Sequence, residues 1–312
     1  MIKAFIDGRG GTTGLKIDER MAARDDMEVM TIPDELRKDP AAKKDYMNRA
    51  DVVFLCLDDA AAKESASLVE NPDTIIIDAS TAHRTNPDWV YGFPERNEKR
   101  RKQISQSKRI ANPGCHATGF ISIVWPLISN ETISYEAVLM CQSITGYSGG
   151  GKKMIAEYEA AAGALNSPMP YALGLSHKHL PEMKEQCWLK SAPLFVPILG
   201  NIAQGMNTMV PFDCKDSGRH SAKKIHEVLS DHYAGQTFIK VMPLGSADCL
   251  NAGRLDAQRC NDTNNLEIHV FGNEEQALVC AVFDNLGKGA SGAAVQNMNI
   301  ALGVAETKGL VR

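Results

Sequence analysis

Short apolar runs alternate with amphipathic segments over the first third of the chain. Four runs rich in apolar residues are predicted as buried strands, at positions 2–6, 28–32, 52–57 and 74–77. Between them, apolar residues recur at helical spacing, for example over 15–23 and 60–69. Because parallel strands are joined by helical crossovers, this alternation predicts an α/β domain, a Rossmann-like parallel sheet with helices on both faces.

The pattern changes after residue 130, where strands follow one another with few helices between them. One helical stretch is predicted at 221–233, and the predicted strands are 137–144, 194–199, 207–212, 237–241, 266–271 and 277–283. This order is typical of an α+β domain with a mostly antiparallel or mixed sheet.

A final helix, predicted at about 290–306, carries small residues such as Ala290, Gly292 and Ala294 that permit close packing on another element. We expect this helix to return to the N-terminal sheet. The expected division is a parallel-sheet domain of residues 1–114 and 286–312, and an α+β domain of residues 115–285.

The composition is that of an ordinary globular protein, with 44% hydrophobic and 23% charged residues among 312. A net charge of −4 argues against a general nucleic-acid surface. No uncharged apolar run reaches the ~18 residues of a membrane span. Eight cysteines are scattered without a C-x-x-C pair, which disfavours structural zinc and a disulfide scaffold. We expect a cytoplasmic protein that binds no nucleic acid, membrane or metal.

The first strand leads into a glycine-rich turn. Gly8, Gly11 and Gly14 have the spacing GxxGxxG, and the turn includes Thr12 and Thr13 directly before a predicted helix. Glycines let the backbone approach a pyrophosphate, and the N–H groups of a helix N-terminus bind it. A glycine turn alone is weak support, but the order strand, turn, helix is the one that dinucleotide binding requires.

Acidic and basic residues stand together beyond the second predicted strand, over 34–38. Arg37 and Lys38 are candidates to hold the 2′-phosphate of NADP, whereas an acidic side chain there would bind the ribose hydroxyl of NAD. The alternative is a solvated surface.

One cysteine stands at a chemically special position, in the run NPGCHA at 112–117. A Pro-Gly turn delivers Cys115 to the start of an apolar, helix-like segment at 118–125. Unpaired N–H groups and the helix dipole at that position favour the thiolate, which is the form that attacks an acyl carbon. The alternative is a buried structural cysteine.

Other candidate site residues are less specific. His177 and His179 would share a face of an extended segment and could move protons, although such a pair is also common on surfaces. Ser148 and Lys152 belong to a glycine-rich loop that could hold phosphate or be a solvated turn. Arg84 follows the fourth predicted strand, at the sheet edge where ligands bind in open α/β folds.

Several motifs, in this order and spacing, resemble the N-acetyl-gamma-glutamyl-phosphate reductase family in its shorter form. They are the turn at 8–14, YGFPE at 91–95, NPGCHAT at 112–118, HKHLPE at 177–182 and DNLGKGA at 284–290. The chain departs from the common pattern at Thr13 in the turn, at His116 where Tyr is usual, and at Lys152 where Arg is common.

The resemblance implies NADPH-dependent reduction of N-acetyl-glutamyl 5-phosphate to the 5-semialdehyde, with release of inorganic phosphate. It implies Cys115 as the nucleophile that forms a thioester and His177 as proton donor and acceptor. It implies that residues 1–114 and 286–312 form the dinucleotide-binding domain and residues 115–285 the catalytic and dimerisation domain, and we expect a homo-oligomer, either a dimer or a tetramer. The remaining expected contacts are with substrate, at Arg84, Ser148, Lys152 and His179, and with NADP, at Gly8, Gly11, Thr12, Thr13, Gly14, Asn285 and Lys288. Helix N-capping is the alternative role for Asn285.

Three other interpretations remain open. An enzyme of the same fold could act on an aminoadipyl or aspartyl phosphate, because one methylene changes binding by only ~1–3 kcal/mol. A non-catalytic NADP-binding sensor would need neither Cys115 nor His177. A cysteine hydrolase without a cofactor would not need the glycine turn.

Overall fold

The computed structural model describes residues 1–214 and 221–312. The chain forms two compact units: unit 1 comprises Met1–Gly114 and Ala290–Val311, and unit 2 comprises Cys115–Gly289 with Arg312. The chain therefore returns from unit 2 to unit 1 after residue 289, whereas the sequence pattern placed this return before residue 286. Residues 286–289 belong with unit 2 because they continue directly from its last strand.

Unit 1 contains a six-stranded, all-parallel sheet in the order β2-β1-β3-β4-β6-β5. Its strands are β1 (Ile2–Asp7), β2 (Met27–Met30), β3 (Val52–Leu55), β4 (Ile75–Asp78), β5 (Val90–Tyr91) and β6 (Arg109–Ala111). The crossover helices are α1 (Thr12–Ala22), α2 (Pro40–Arg49), α3 (Asp59–Ser67) and α4 (Glu98–Gln106).

Both faces of this sheet are buried. All four residues of β3 are buried, and successive side chains contribute to two different hydrophobic clusters, one on each face. This explains why the strand is a continuous apolar run rather than an alternating one.

Unit 2 contains a seven-stranded mixed sheet in the order β11-β12-β13-β10-β7-β9-β8. Its strands are β7 (Met140–Gly146), β8 (Met169–Pro170), β9 (Leu194–Gly200), β10 (Met206–Asp213), β11 (Ile239–Val241), β12 (Leu266–Gly272) and β13 (Gln276–Phe283). Its helices are α5 (Cys115–Ser129), α6 (Gly151–Ala160), α7 (Leu180–Gln186) and α8 (Ala222–His232). The β7–β9 and β11–β12 pairs are parallel and the others antiparallel.

Helix α5 packs on β10 and β13 and also contacts α7 and α8. Almost every residue of α5 is buried. Gly119 makes the close approach possible, because a Cβ at that position would lie 2.3 Å from Thr208 Oγ1 on β10. The first turn of α5 is thereby fixed against the sheet.

The chain ends with a π-helical turn, Gly287–Ser291, followed by α9 (Gly292–Ala301). Ala294, Val295 and Met298 of α9 join a hydrophobic cluster of unit 1 that includes residues of β1, β3 and β4. None of the helices described, which exclude residues 215–220, is long and apolar enough to cross a membrane.

Candidate active site

The glycine turn after β1 is built so tightly that its first position requires glycine. Gly8 has φ +84°, and a Cβ there would lie 2.3 Å from the carbonyl oxygen of Cys56. The turn is closed by Gly11 N–H, which donates to Gly8 O over 2.9 Å. Gly14, one turn into α1, would place a Cβ 2.5 Å from the same Gly8 oxygen.

The N-terminus of α1 has unused hydrogen-bonding capacity. Its N-cap is Gly11, which has no side chain to accept from the first N–H groups. Thr12 Oγ1 is buried, and it has no hydrogen-bond partner in the part of the chain that the structure describes. An open helix N-terminus with a spare buried hydroxyl fits an anionic group such as a pyrophosphate.

Arg9 lies beside the end of β2, where the ribose of a bound dinucleotide is read in this fold. Its guanidinium donates to Thr31 Oγ1 at 2.9 Å and to Asp18 at 2.8 Å. Arg37, in contrast, is exposed and lies 3.9 Å from Asp34. No sequence pattern singled out Arg9, although it lies inside the glycine turn.

Arg84 is buried, and its guanidinium donates hydrogen bonds to backbone carbonyls of unit 1. Its Nε donates to Asn112 O at 3.0 Å, and its Nη2 donates to Ala79 O at 2.9 Å. These two bonds tie the loop after β4 to the segment that leads toward Cys115. The structure thus gives Arg84 a supporting position in addition to the substrate contact expected for it.

Cys115 is the first residue of α5 and is partly exposed. Burial raises the pKa of Cys56, Cys260 and Cys280 to about 12 in each case. Those thiols are therefore held protonated, whereas Cys115 has the helix N-terminus that favours a thiolate.

An aromatic and imidazole cluster surrounds the first turn of α5. The His177 and His116 ring centroids are 5.5 Å apart, and those of His177 and His179 are 4.7 Å apart. The ring centroid of Phe195 on β9 lies 5.2 Å from that of His177, and the ring centroid of Tyr171 lies 5.9 Å from it. Both histidines therefore pack near His116, the residue that follows Cys115.

The two histidines lie in a turn and not in the extended segment that was expected. His179 has helical backbone angles and is the N-cap of α7. Its N–H donates to His177 Nδ1 over 3.1 Å. Because Nδ1 accepts, the neutral His177 ring carries its proton on Nε2. His179 is buried, and its Nε2 lies 4.0 Å from Glu182.

His116 is buried, and its ring makes two hydrogen bonds. Nδ1 lies 2.8 Å from Ser143 Oγ on β7, and Nε2 lies 2.8 Å from Tyr171 Oη. Burial, reinforced by the charges of His177 and Lys178, lowers the pKa of His116 to about 3. His116 is therefore neutral near neutral pH. No periodic pattern in the sequence singles out Tyr171, which stands six residues before His177.

The second glycine-rich loop is fixed through Asn285. Asn285 Nδ2 donates to Ser148 Oγ at 3.0 Å, and its Oδ1 accepts from Gly205 N–H at 2.8 Å. These bonds replace the helix N-cap role considered for Asn285. Lys152 is exposed on the first turn of α6, and Lys288 is buried with its ammonium 6.0 Å from the Phe238 ring centroid.

No cluster of three or more His, Cys, Asp or Glu side chains within residues 1–214 and 221–312 is arranged to hold a metal ion. The site around Cys115 in unit 2 offers a thiol, imidazoles and a phenol, and the N-terminus of α1 in unit 1 offers an anion-binding group.

Comparisons with known protein families match both units. Residues 10–104 match the semialdehyde dehydrogenase NAD-binding domain, and residues 115–285 match the semialdehyde dehydrogenase dimerisation domain. The fold is shared with aspartate semialdehyde dehydrogenase from Francisella tularensis, with a TM-score of 0.70 and 15% identity over 96% of this chain and 99% of that one. These matches define a two-domain semialdehyde dehydrogenase that binds a nicotinamide dinucleotide.

Two curated relatives are much more similar in sequence. The N-acetyl-gamma-glutamyl-phosphate reductase of Chelativorans sp. (strain BNC1) is 46% identical, covering 96% of this chain and 98% of its own. N-acetyl-gamma-glutamyl-phosphate reductase 2 of Pseudomonas putida is 42% identical, covering 98% of each chain. The chain belongs to the N-acetyl-gamma-glutamyl-phosphate reductase family, as the sequence motifs predicted.

Proposed function

We propose that the protein reduces N-acetyl-L-glutamyl 5-phosphate to N-acetyl-L-glutamate 5-semialdehyde in arginine biosynthesis, releasing inorganic phosphate. The observation that carries this proposal is the placement of a partly exposed thiol at a helix N-terminus, next to a packed cluster of histidines. The extent of the sequence similarity to reductases of this substrate supports the same activity.

Cys115 supplies the nucleophile in the proposed reaction. His177 takes the thiol proton on Nδ1, its unprotonated nitrogen, in exchange for the hydrogen bond from the His179 N–H, and the thiolate attacks the acyl carbon. A C–S bond forms, the C–O bond to phosphate breaks, and the protonated His177 gives its proton to the departing phosphate. The product of this half-reaction is a thioester on Cys115.

A thioester is electrophilic enough to be reduced, and a dinucleotide held by the glycine turn after β1 would supply the hydride. The C–S bond of the resulting thiohemiacetal oxyanion then breaks, which releases the aldehyde and returns the thiolate of Cys115. A proton from water restores the thiol, so one proton is consumed in each cycle. The N–H groups at the start of α5 stabilise the oxyanion.

His179, Ser148, Lys152 and Arg84 are the proposed substrate contacts. His179 lies beside His177 and is buried, which suits positioning of the substrate rather than proton transfer. Lys152 is exposed and offers a cation to an anionic group, whereas Ser148 and Arg84 act in part through their protein partners.

The cofactor contacts proposed are Gly8, Gly11, Thr12, Thr13 and Gly14, with Asn285 and Lys288 toward the nicotinamide. NADP is the proposed dinucleotide. Arg9 supports this choice, because its guanidinium could bind the 2′-phosphate of NADP. It donates to Thr31, the residue after β2, where the chain has a hydroxyl and not the carboxylate that would bind the ribose hydroxyl of NAD.

A homodimer or tetramer that assembles through unit 2 is also proposed. Unit 2 matches a domain described as a dimerisation domain, and it exposes several large apolar side chains. Among them Val138 is 90% exposed, Leu173 74% and Trp188 65%, which is costly in an isolated chain. The cytoplasm is the proposed compartment, because the eight cysteines are scattered along the sequence without the spacing of a disulfide framework.

The experiment that tests the function runs the reaction in reverse. Purified protein is given N-acetyl-glutamate semialdehyde, phosphate and NADP, and NADPH formation is followed by absorbance. Aspartate semialdehyde and the aminoadipate analogue are parallel substrates, and NAD is a parallel cofactor. We expect phosphate-dependent reduction of NADP with the N-acetyl-glutamate compound to be fastest. Faster turnover of either analogue would contradict the substrate, and absence of turnover with all three would favour the sensor.

A further inference from the structure

One charged side chain, Arg9, lies in the glycine turn after β1, and it is held at two points. Its Nη1 donates to Thr31 Oγ1 over 2.9 Å, and its Nη2 donates to Asp18 Oδ2 over 2.8 Å. Thr31 follows β2, and Asp18 lies in the second turn of α1. The guanidinium is therefore fixed between α1 and the end of β2.

Asp18 is more enclosed than an ordinary surface partner of an arginine. Its side chain is 18% exposed, and its Oδ1 is buried with no hydrogen-bond partner within residues 1–214 and 221–312. A buried carboxylate oxygen without a donor destabilises the fold, because it has lost its hydration. Among the described residues, the hydrogen bond that the Asp18 side chain does accept comes from Arg9. Asp18 is thus kept at some expense of stability, and what it does there is hold Arg9.

A second ion pair on the same helix shows the contrast. Lys16 Nζ lies 2.9 Å from Glu19 Oε2, and the two side chains are 41% and 62% exposed. Pairs this exposed contribute little to stability or to order. Glu19 is therefore a matched control for Asp18, since it is the next residue of α1 and pairs with a different cation.

Two hydrogen bonds leave the Arg9 guanidinium with N–H groups to spare. Nε and the remaining hydrogens of Nη1 and Nη2 bind no other group in the part of the chain that the structure describes. A planar guanidinium matches the oxygens of a phosphate group and binds them with paired hydrogen bonds. Because the long side chain is already ordered, binding a phosphate there loses little rotamer freedom. Arg9 is thus preorganised for the 2′-phosphate proposed for it.

The charge of Asp18 works in the opposite direction. A carboxylate 2.8 Å from the guanidinium offsets part of its attraction for an anion. Asp18 therefore has two separable effects on a phosphate that binds to Arg9, because its hydrogen bond orders the guanidinium and its charge weakens the attraction. Asp18→Asn keeps an oxygen that accepts the hydrogen bond and removes the charge, whereas Asp18→Leu removes both.

We propose that Asp18 is the positioning residue that holds Arg9 for the 2′-phosphate of NADP, and that this hydrogen bond contributes to the discrimination between NADP and NAD. The inference rests on the proposed function, which assigns NADP to the glycine turn. It goes further because it attributes the discrimination to an ordered guanidinium rather than to a cation alone.

Isothermal titration calorimetry on the full-length protein, without substrate, measures the dissociation constants of NADP and NAD at one ionic strength. Asp18→Leu should bind NADP about five- to tenfold more weakly than Asp18→Asn, the effect of having to order one long side chain on binding. Asp18→Asn should bind NADP at least as tightly as the wild type, because a nearby negative charge is gone. The two variants should bind NAD alike, and Glu19→Asn and Glu19→Leu should bind NADP alike.

A double-mutant cycle shows whether Asp18 acts through Arg9. Arg9→Met removes the guanidinium and keeps an unbranched side chain. In that background, Asp18→Asn and Asp18→Leu should have equal NADP affinities, because no guanidinium remains to be held. A difference that persists would mean that residue 18 acts by another route, and it would overturn the inference.

Equal NADP affinities of the Asp18→Asn and Asp18→Leu proteins in the wild-type background would overturn the positioning role. An equal loss of NAD and NADP affinity would assign the effect to the whole turn and overturn it too. Urea unfolding should find Asp18→Leu at least as stable as the wild type, because a buried oxygen without a donor is removed. If Asp18→Leu does not fold, Asp18→Ala takes its place in the same comparison.

Reductase assays on the same preparations keep the two proposals apart. An NADP-specific difference between the two Asp18 variants, in a protein whose wild type has no reductase activity, would defeat the proposed function and leave the role of Asp18 standing. An active wild type with no such difference between the variants would do the reverse.

Discussion

His177 and His179 differ in what holds each ring, and the difference predicts different kinetic roles. His177 Nδ1 accepts the His179 N–H, so in the neutral ring Nε2 carries the proton and Nδ1 is the nitrogen that can take up another. His177→Asn should lower kcat and kcat/KM together by ~10²–10⁴, the usual loss for a general acid–base group. His179→Asn should mainly raise KM. Steady-state kinetics on both variants check this, and a large kcat defect confined to His179→Asn would reverse the assignment.

His116 makes the stability of the protein depend on pH in a definite direction. The ordinary pKa of 6.5 falls to about 3 in the folded protein, so between these values the unfolded chain binds more protons than the native one. The stability from a neutral His116 is complete above pH 6.5 and is lost as the pH falls toward 3.

His116→Gln should therefore reduce the steepness with which the free energy of unfolding falls below pH 6.5, by up to about 1.4 kcal/mol per pH unit. The facing groups His177, His179, Lys178 and Tyr171 are the same in both proteins. Urea unfolding at several pH values measures the slope. An unchanged slope would show that His116 is protonated in the folded state.

At the level of single residues, the sequence predicted the chemical types in the site better than their contacts. Cys115 at a helix start follows from a Pro-Gly turn before an apolar run. The bonds of Tyr171 to His116 and of Asn285 to Ser148 join segments more than fifty residues apart. Such contacts are decided by the folded sheet and leave no local pattern.

The glycine turn after β1 is the element whose conformation is most demanding. Gly8→Ala should destabilise the apo protein by at least about 1–3 kcal/mol, because alanine at φ +84° is strained and its Cβ would lie 2.3 Å from Cys56 O. Gly10→Ala is the matched control, since a Cβ at Gly10 has nothing within 4 Å. Equal free energies of unfolding for the two variants would contradict the account of this turn.

Secondary-structure elements could be predicted only where they had a continuous or periodic set of apolar residues. β3 was expected at 52–57 and spans Val52–Leu55, because all its residues are buried and apolar. Helices α2 and α4 each bury a single residue, Met47 and Ile104, so they have no apolar periodicity to detect. The two- and three-residue strands β5 and β6 are too short for any pattern.

At the scale of the whole molecule, unit 1 is discontinuous and is completed by the C-terminal helix α9. Met298 is fully buried in a cluster with residues of the first hundred positions. Met298→Ala should cost about 2–5 kcal/mol, as for other core truncations. Ile300→Ala, at a partly buried neighbour, should cost less. A smaller loss for Met298→Ala in chemical unfolding would mean that α9 is not part of this core.

The fold class was predicted correctly because each half of the chain has its own repeating pattern, parallel strands with crossovers and then successive strands. The return of the chain from unit 2 to unit 1 was expected before residue 286, and in the structure it comes after residue 289. The π-helical turn at Gly287–Ser291 spans this point, and the apolar pattern carries no mark of it.

The thioester on Cys115 is the central claim, and intact-protein mass spectrometry tests it most directly. N-acetyl-glutamyl phosphate, generated in place, is mixed with the protein in the absence of dinucleotide, so that the acyl group cannot be reduced. We expect the wild type to gain one N-acetylglutamyl group, mapped to Cys115 and removed by hydroxylamine, and Cys115→Ala to gain none. An active wild type that shows no adduct, or carries it on another residue, would contradict the mechanism.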